Sequence, residues 1–465
     1  MLLSVMQRII LIIILSFFSL SPNAQSLQNR LIKAFEVFEK DSQLSNGIAS
    51  LFVADAKTGN VIFEKNGYVG LSTASTMKVI TSVSAYELLG KDFRYKTEFG
   101  YKDEIVNKIL KGDIYIKPSG DPTLGSWRWP ATKEEATINR IIAAIKKLDI
   151  KGYNSTFIED SGWRYETIPD GWMWQDIGNY YGAGAGALNW RENQFDIVLQ
   201  SEGAIGSRVK IVETIPKGLS YRFLSTATAA AKGTGDNAYV YYPLTKTQGV
   251  IRGTIPVNEK RFTISAAYAD PVHEFTSILR YNLNAKVNIG QVKFEDNNDK
   301  VVKVFHTEIS PPLDSIIYWF NKRSINVYGE ALVKTIGYQK KGMGSTDGGV
   351  ELIKNFWKTK GISETELNMV DGSGLSPLNR VTTHAQVSIL QYAKKQPWFN
   401  GFYHSLPEFN NMKMKSGTIR DVKGFCGYHK AKDGTEYIFS FLVNNYNGSS
   451  SAVVQKMYKV LNELK

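Results

Sequence analysis

A chain of 465 residues that is 43% hydrophobic and 22% charged has the composition of a folded globular protein and is too long for one ordinary core, so two or three domains are expected. A formal net charge of +12, without a cluster of five or more basic residues, biases the chain toward anionic partners such as nucleic acid, an anionic membrane surface or an acidic wall polymer, and singles out none of them. The one cysteine, Cys426, excludes an intramolecular disulfide and a multi-cysteine zinc site. Within GFCGYH it reads as a small buried apolar residue in a strand, with a nucleophilic thiol as the rarer alternative.

At the N-terminus Arg8 precedes the apolar run Ile9 to Phe18 and the small, polar stretch Ser19 to Ser26. The run is shorter than the about 20 residues a membrane span needs. Residues 1–25 therefore read as a secretory signal cut near Ala24 or Gln25, with an uncleaved anchor as the alternative. No cysteine follows the run and no second apolar stretch of spanning length appears, so a soluble mature protein without a lipid anchor is expected.

Next, Leu27, Leu31, Phe35 and Phe38 recur at helical spacing. Gly47 to Lys65 reads as two strands around the turn Lys57-Thr58-Gly59-Asn60. STASTMKVITSVSAYELLG (72–90) carries a helix in its second part, ending on Gly90. From about Lys91 short β-like pieces dominate, at 95–101, 113–116, 195–200, 208–213, 238–242 and 249–255. One helix interrupts them, Glu134 to Asp149, with Ile138, Ile141, Ile142, Ile145 and Leu148 along one face. Between Gly162 and Asn193 an aromatic, glycine-rich stretch carries Trp163, Trp172, Trp174, Tyr180, Tyr181 and Trp190. Having no period, it reads as core beneath long loops, with a glycan-stacking platform as the alternative.

Helical patterns return after Ala266, at 272–284, 313–320, 327–336 and 348–357. A strand from Met412 to Arg420, a hairpin pivoting on Asp433-Gly434 and a helix from Ser450 to Leu464 follow. The two ends of the chain are expected to build one antiparallel sheet with the terminal helices packed on it. The β-rich middle, 91–265, then reads as an insertion into a discontinuous domain of 26–90 and 266–465.

Serine is a poor nucleophile until a base takes its proton. The five histidines, His273, His306, His384, His404 and His429, neighbour no serine elbow, and no G-x-S-x-G occurs; Ser373 in VDGSGLS lacks the spacing. A lysine is the other available base. S-x-x-K serves only at the start of a helix, where residues i and i+3 share a face and the N-terminal dipole favours an oxyanion. Ser75-Thr76-Met77-Lys78 meets that condition. The second copy, Ser207 to Lys210, sits in the alternating run SRVKIVE, which points the two side chains to opposite faces.

Partners for such a lysine follow in order. Ser324-Ile325-Asn326 falls at a junction between two helices and Lys415-Ser416-Gly417-Thr418 in a strand. The Ser324 hydroxyl can relay a proton between Lys78 and a leaving amine, and Asn326 can hold Lys78 and a substrate amide. Lys415, with the Ser416 or Thr418 hydroxyl, can bind a carboxylate, and Gly417 lets a backbone lie close. The main-chain N–H groups of Ser75 and Thr418 make a candidate oxyanion hole. The literal Lys57-Thr58-Gly59 precedes the nucleophile at a hairpin tip and is explained as a turn.

S-x-x-K, S-x-N and K-[ST]-G in this order resemble the penicillin-recognising serine acyltransferases, the D,D-peptidases and serine β-lactamases. The stretch from Ser75 to Ser324 spans more than half of the chain, too long for a compact β-lactamase. It is similar to the D-alanyl-D-alanine carboxypeptidase/endopeptidase family of class C low-molecular-mass penicillin-binding proteins, in which two extra domains separate the first two motifs. GDIYIKPSGDPTL (112–124), PDGWMWQDIGNYYGAGAGALNWREN (169–193) and VDGSGLSPLN (370–379) also look similar to it, so the likeness covers nearly all of the mature chain.

The resemblance implies an α+β fold, with a penicillin-binding/serine β-lactamase-like α/β/α domain (an antiparallel sheet flanked by helices) and a β-rich two-domain insertion. It implies Ser75 as nucleophile, Lys78 as general base, Ser324 and Asn326 as aids to proton transfer and substrate holding, and Lys415 as the carboxylate binder. The implied substrates are D-Ala-D-Ala stem peptides and D-Ala-meso-diaminopimelate cross-links of peptidoglycan, with covalent capture of β-lactams. It implies no cofactor, no metal and no nucleic-acid partner, and a periplasmic location with at most loose membrane-surface association. Ser416 departs from the commoner threonine and keeps its hydroxyl. Asp160, in IEDSGW, reads as a strand-end or turn residue, the alternative being a contact to the amino group of a stem. Two rival functions stay open: a β-lactamase or esterase on the same fold, and a non-hydrolytic wall-binding or sensor protein.

Overall fold

The computed structural model describes residues 22–219, 221–244, 248–283, 293–294 and 302–465; the apolar run Ile9 to Phe18 of the expected signal lies outside them. Strands β1 (Ile48–Asp55), β2 (Val61–Lys65), β3 (Glu408–Phe409), β4 (Met412–Ile419), β5 (Val422–Lys430) and β6 (Glu436–Asn444) form one antiparallel sheet in the order β3-β4-β5-β6-β1-β2. Both hairpins close as their turn residues dictate. Asp55 Oδ1 accepts from the Lys57 and Thr58 N–H groups ahead of Gly59 at φ 80°, and Gly434 takes φ 87° beside Asp433, whose Oδ1 accepts from Thr435 N. Strands β5 and β6 are buried almost throughout because the sheet is covered on both faces.

One face carries the terminal helices, α1 (Pro22–Glu39) and a closing helix Ser450–Leu461, over a core of Leu31, Phe35, Phe441 and Met457. On the other lie α2 (Met77–Leu89), α3 (Leu313–Arg323), α4 (Asn326–Lys341) and Thr346–Thr359. Two further helices there, Thr383–Lys394 and Phe399–Ser405, go unassigned from sequence. Helix α4 is buried from Asn326 to Gly337, so its polar residues Glu330 and Lys334 lie in the core. The α+β class and the helix-flanked antiparallel sheet are as expected. Among the described residues no helix is long and apolar enough to cross a membrane.

The inserted region adds a five-stranded sheet, in spatial order Lys293–Phe294, Thr156–Ile158, Ile114–Lys117, Lys96–Tyr101 and Lys303–Ile309, and further sheets built from 194–267. Lys303–Ile309 pairs with Lys96–Tyr101, and Phe275 and Leu279 of the helix Pro271–Leu283 pack into the core of the insertion. The inserted architecture therefore closes near residue 310. The expected boundary at 265 falls inside it, because strand pairing brings back a segment whose own helical pattern looked like the other domain.

Candidate active site

Ser75 lies in a 3-10 turn, Ala74–Thr76, that runs directly into α2. A 3-10 turn eclipses side chains three apart, and Lys78 Nζ stands 2.9 Å from Ser75 Oγ. Lys78 is fully buried. Its Nζ also donates to Asn326 Oδ1 and to the Ser373 carbonyl, each at 2.7 Å. As a neutral amine, Lys78 gives its two N–H bonds to those carbonyl oxygens, which leaves the lone pair aimed at the Ser75 hydroxyl. Burial, with the Lys415 charge second, pushes the Lys78 pKa well below the usual lysine range, while Asp371 and Glu330 pull it back. The arrangement is that of an amine able to take the Ser75 proton.

Asn326 is the first residue of α4, and its Nδ2 donates to the Tyr181 carbonyl at 2.7 Å. That bond fixes the amide orientation and turns Oδ1 toward Lys78. Ser324 ends α3 in the left-handed region, φ 56° and ψ 42°. Its Oγ accepts from Lys415 Nζ at 3.0 Å, and Lys415 also donates to the Ser416 carbonyl at 2.8 Å. Burial lowers the Lys415 pKa to about 7.

A cleft of about 570 Å³ is lined by Ser75, Ser324, Asn326, Thr418, Tyr181 and Arg420. Lys415 is 1% exposed and lies behind that wall, with its ammonium directed at Ser324. The exposed cation nearest to Thr418 along the strand is Arg420. Thr418 Oγ1 accepts from Lys423 Nζ at 2.6 Å. Gly417 stands against the nucleophile turn: a Cβ there would meet Thr73 O at 2.6 Å and the main-chain nitrogens of Ser75 and Thr76 at 2.9 Å. The room that glycine leaves is taken by protein backbone, where the sequence suggested a substrate backbone.

The other sequence candidates fall elsewhere. Lys210 pairs with Glu202 on an exposed strand, and Lys57 is exposed at its hairpin tip. Asp160 lines a separate cavity of about 440 Å³ with Trp163 and Tyr268, which Ser75 does not border. Of the aromatic stretch, Trp163, Trp172 and Trp190 are buried, whereas Trp174 and Tyr180 are exposed; Tyr180 and Tyr181 border the Ser75 cleft. Cys426 is buried beneath the site, its Sγ 4.0 Å from Thr76 O, and burial pushes its thiol up to about 12.

The residues that sequence reasoning missed are mostly main-chain groups and their supports. The Ser373 and Tyr181 carbonyls leave no residue-type signal. Asp371 holds the segment that presents Ser373, accepting from Gly374 N, Ser376 N, Asn379 Nδ2 and Trp172 Nε1 at 2.6–3.0 Å. Gly374, at φ 82°, presses on the Ala74 carbonyl, so the glycines of VDGSG were the available signal.

With this geometry in hand, comparison with known proteins places the chain. It is 26% identical over 449 residues to a D-alanyl-D-alanine carboxypeptidase of Actinomadura sp. (strain R39), covering 90% of this chain and 81% of the relative. It is 23% identical over 444 residues to the D-alanyl-D-alanine carboxypeptidase DacB of Haemophilus influenzae, covering 88% of each. The crystal structure of penicillin binding protein 4 (dacB) from Haemophilus influenzae superposes with a TM-score of 0.76 at 19% identity, over 95% of this chain and 98% of that one, which establishes the common fold. The profile of the D-Ala-D-Ala carboxypeptidase 3 (S13) family matches residues 31–464, and the chain belongs to that family of serine peptidases.

Proposed function

We propose that the chain is an exported, periplasmic serine D,D-peptidase that hydrolyses D-Ala-D-Ala stem peptides or D-Ala-meso-diaminopimelate cross-links of peptidoglycan through an acyl-enzyme on Ser75. The observation that carries this reading is the buried Lys78 amine, 2.9 Å from Ser75 Oγ with its other two bonds committed to Asn326 and Ser373. Lys78 takes the Ser75 proton while Oγ attacks the carbonyl carbon of the penultimate D-Ala. The N–H groups of Ser75 and Thr418 receive the developing oxyanion. The C–N bond then breaks, and the proton passes to the departing amine by way of the Ser324 hydroxyl. Water, deprotonated by Lys78, cleaves the resulting ester and frees Ser75.

Lys415, buried against Ser324, acts in this scheme by holding that hydroxyl and by adding positive potential toward a substrate carboxylate, with Ser416 and Thr418 beside it. A β-lactam presents the same acyl group and is captured on Ser75; a β-lactam complex of the Haemophilus influenzae protein is among the matching structures. Intact-protein mass spectrometry after addition of benzylpenicillin tests the proposal. A persistent adduct on Ser75 is the expected result. Rapid clearance would indicate a β-lactamase, and no adduct, or one that survives Ser75→Ala, would overturn the assignment. Digestion of monomeric and cross-linked muropeptides side by side ranks the carboxypeptidase against the endopeptidase activity.

A further inference from the structure

The strand motif brings two hydroxyls to the cleft and leaves its lysine behind them. Alternation along β4 sets Ser416 and Thr418 on one face and Lys415 on the other. Lys415, 1% exposed, spends its ammonium on Ser324 Oγ and the Ser416 carbonyl. Thr418 is exposed and lines the cleft with Ser75. Strand β3 pairs with β4 only at Met412 and Lys413. Among the described residues no strand covers the outer edge of β4 beyond them, so a substrate chain can lie beside Ser416 and Thr418.

A second lysine serves the hydroxyl that Lys415 does not touch. Lys423 faces Thr418 directly across the β4–β5 hairpin, and its Nζ donates to Thr418 Oγ1 at 2.6 Å. The hairpin is tight, with Arg420 and Asp421 between the paired Ile419 and Val422 and Asp421 at φ 56°, which fixes the pairing. The half-buried Lys423 ammonium also lies 5.2 Å from the centre of the Phe425 ring, and among the described residues it forms no ion pair. Arg323 and Arg420 line the cleft itself, yet among the described residues neither touches a hydroxyl of the strand motif.

The chemistry of a hydroxyl makes the Lys423 contact directional. Thr418 Oγ1 has one proton to give and lone pairs to receive. An ammonium on the oxygen occupies the acceptor side, polarises the O–H bond and leaves its proton to be given elsewhere. The open side is the cleft, and a polarised donor backed by positive charge selects an anionic oxygen there. In an acyl-D-alanyl peptide and in a penicillin alike, the carbon bonded to the scissile nitrogen carries a carboxylate.

We propose that Lys423 is a positioning residue for substrate binding, which holds the Thr418 hydroxyl as a donor to the substrate carboxylate and backs it with a positive charge. The inference rests on the Ser75 acyl-enzyme reading and extends it to a lysine outside the three motifs. Lys423 makes and breaks no covalent bond and stays an ammonium throughout.

The test compares acylation of the full chain by benzylpenicillin and by its methyl ester, which keeps the β-lactam and lacks the charge. Intact-protein mass spectrometry at graded concentrations gives a half-saturating concentration and a limiting rate for each. Wild type is expected to favour the acid. In Lys423→Met that preference falls about 10-fold, through the half-saturating concentration for the acid and with little change in its limiting rate. Lys423→Arg restores the preference, and Lys423→Gln reads the same quantity if the methionine variant does not fold. Thr418→Val keeps the main-chain N–H and the side-chain shape but loses the preference, and Lys423→Met adds little to it because the lysine works through that hydroxyl. Equal losses for acid and ester in Lys423→Met, no loss for either, or effects of the two substitutions that simply add, reduce Lys423 to a structural residue and overturn the proposal. A wild type that does not distinguish acid from ester overturns it as well. If wild-type protein takes up neither compound, it is the Ser75 reading that fails.

Discussion

Lys415 Nζ donates to Ser324 Oγ at 3.0 Å and makes no hydrogen bond to Lys78, so the strand motif reaches the helix junction while the nucleophile's base is held by Asn326 and Ser373. Two lysines are thus buried close together, and neither is paired with a carboxylate at contact distance.

This burial predicts an unusual pH dependence of stability. Lys415 has its pKa lowered from 10.5 to about 7 in the folded state. Below pH 7 both folded and unfolded chains carry the charge, and the full cost of burying it is felt. Between 7 and 10.5 the unfolded chain binds more protons, so stability rises with pH and the cost is gone above 10.5. Lys334, lowered to about 8, adds a narrower contribution of the same sign. Urea unfolding of wild type and Lys415→Met at pH 7 and pH 10 is expected to show wild type gaining a few kcal/mol relative to the variant; parallel curves would refute the lowered pKa of Lys415.

Gly417→Ala is expected to disable acylation although position 417 carries no reactive atom. The added methyl would overlap Thr73 O and the Ser75 and Thr76 nitrogens, and each of these is backbone that cannot rotate away. The strand and the nucleophile turn must separate by several tenths of an ångström, which misplaces Oγ relative to Lys78; a misplacement of about 1 Å at a reacting centre costs ~100-fold, and a loss of up to that size is expected. Stopped-flow labelling with a fluorescent penicillin reads the loss, and a variant acylated at the wild-type rate would show that the contact is not rigid.

The elements easiest to read in sequence were those with strong local chemistry. The Lys57–Asn60 and Asp433–Gly434 turns, the helix bearing Lys78 and the two-ended sheet all follow from periodicity and turn residues. The boundary at 265 was illegible because Lys303–Ile309 belongs to the insertion only through its pairing with Lys96–Tyr101, a long-range contact that no window contains. The helix Thr383–Lys394 packs on the sheet through mixed residues such as Gln386, whose Oε1 accepts from Ser440, so its apolar stripe is broken. In the site, S-x-x-K and S-x-N gave Ser75, Lys78 and Asn326 as a contiguous group. The acceptors that orient the base are carbonyls of Ser373 and Tyr181, and a carbonyl is present at every position whatever the residue.

Asp371→Ala is expected to be among the most destabilising single changes near the site. It leaves the N–H groups of Gly374 and Ser376, the Asn379 amide and the Trp172 indole without their acceptor in a buried loop. At about 1–3 kcal/mol for each unsatisfied donor, partly relieved by relaxation, the loss is of order 3–5 kcal/mol. Calorimetry of the variant measures it, and a fall below about 1 kcal/mol would mean that water replaces the carboxylate at little cost.

Lys78→Met separates function from stability at one position. The thioether matches the length of the lysine stem and keeps the packing among Phe320, Ser75 and Asn326, but it has no lone pair able to take the Ser75 proton. Losing the general base costs ~100- to 10,000-fold in acylation, and the oxyanion donors alone cannot make that up. Stability responds to two opposed terms. Asn326 Oδ1 and the Ser373 carbonyl lose a donor, at about 1–3 kcal/mol each, while the chain no longer surrenders a solvated ammonium on folding, a relief of similar size. The melting temperature is therefore expected to stay within a few degrees of wild type while penicillin labelling disappears. A variant that keeps labelling at the wild-type rate would show that another group takes the serine proton. One that loses labelling only because it unfolds would show the hydrogen bonds of Lys78 to outweigh the cost of its burial.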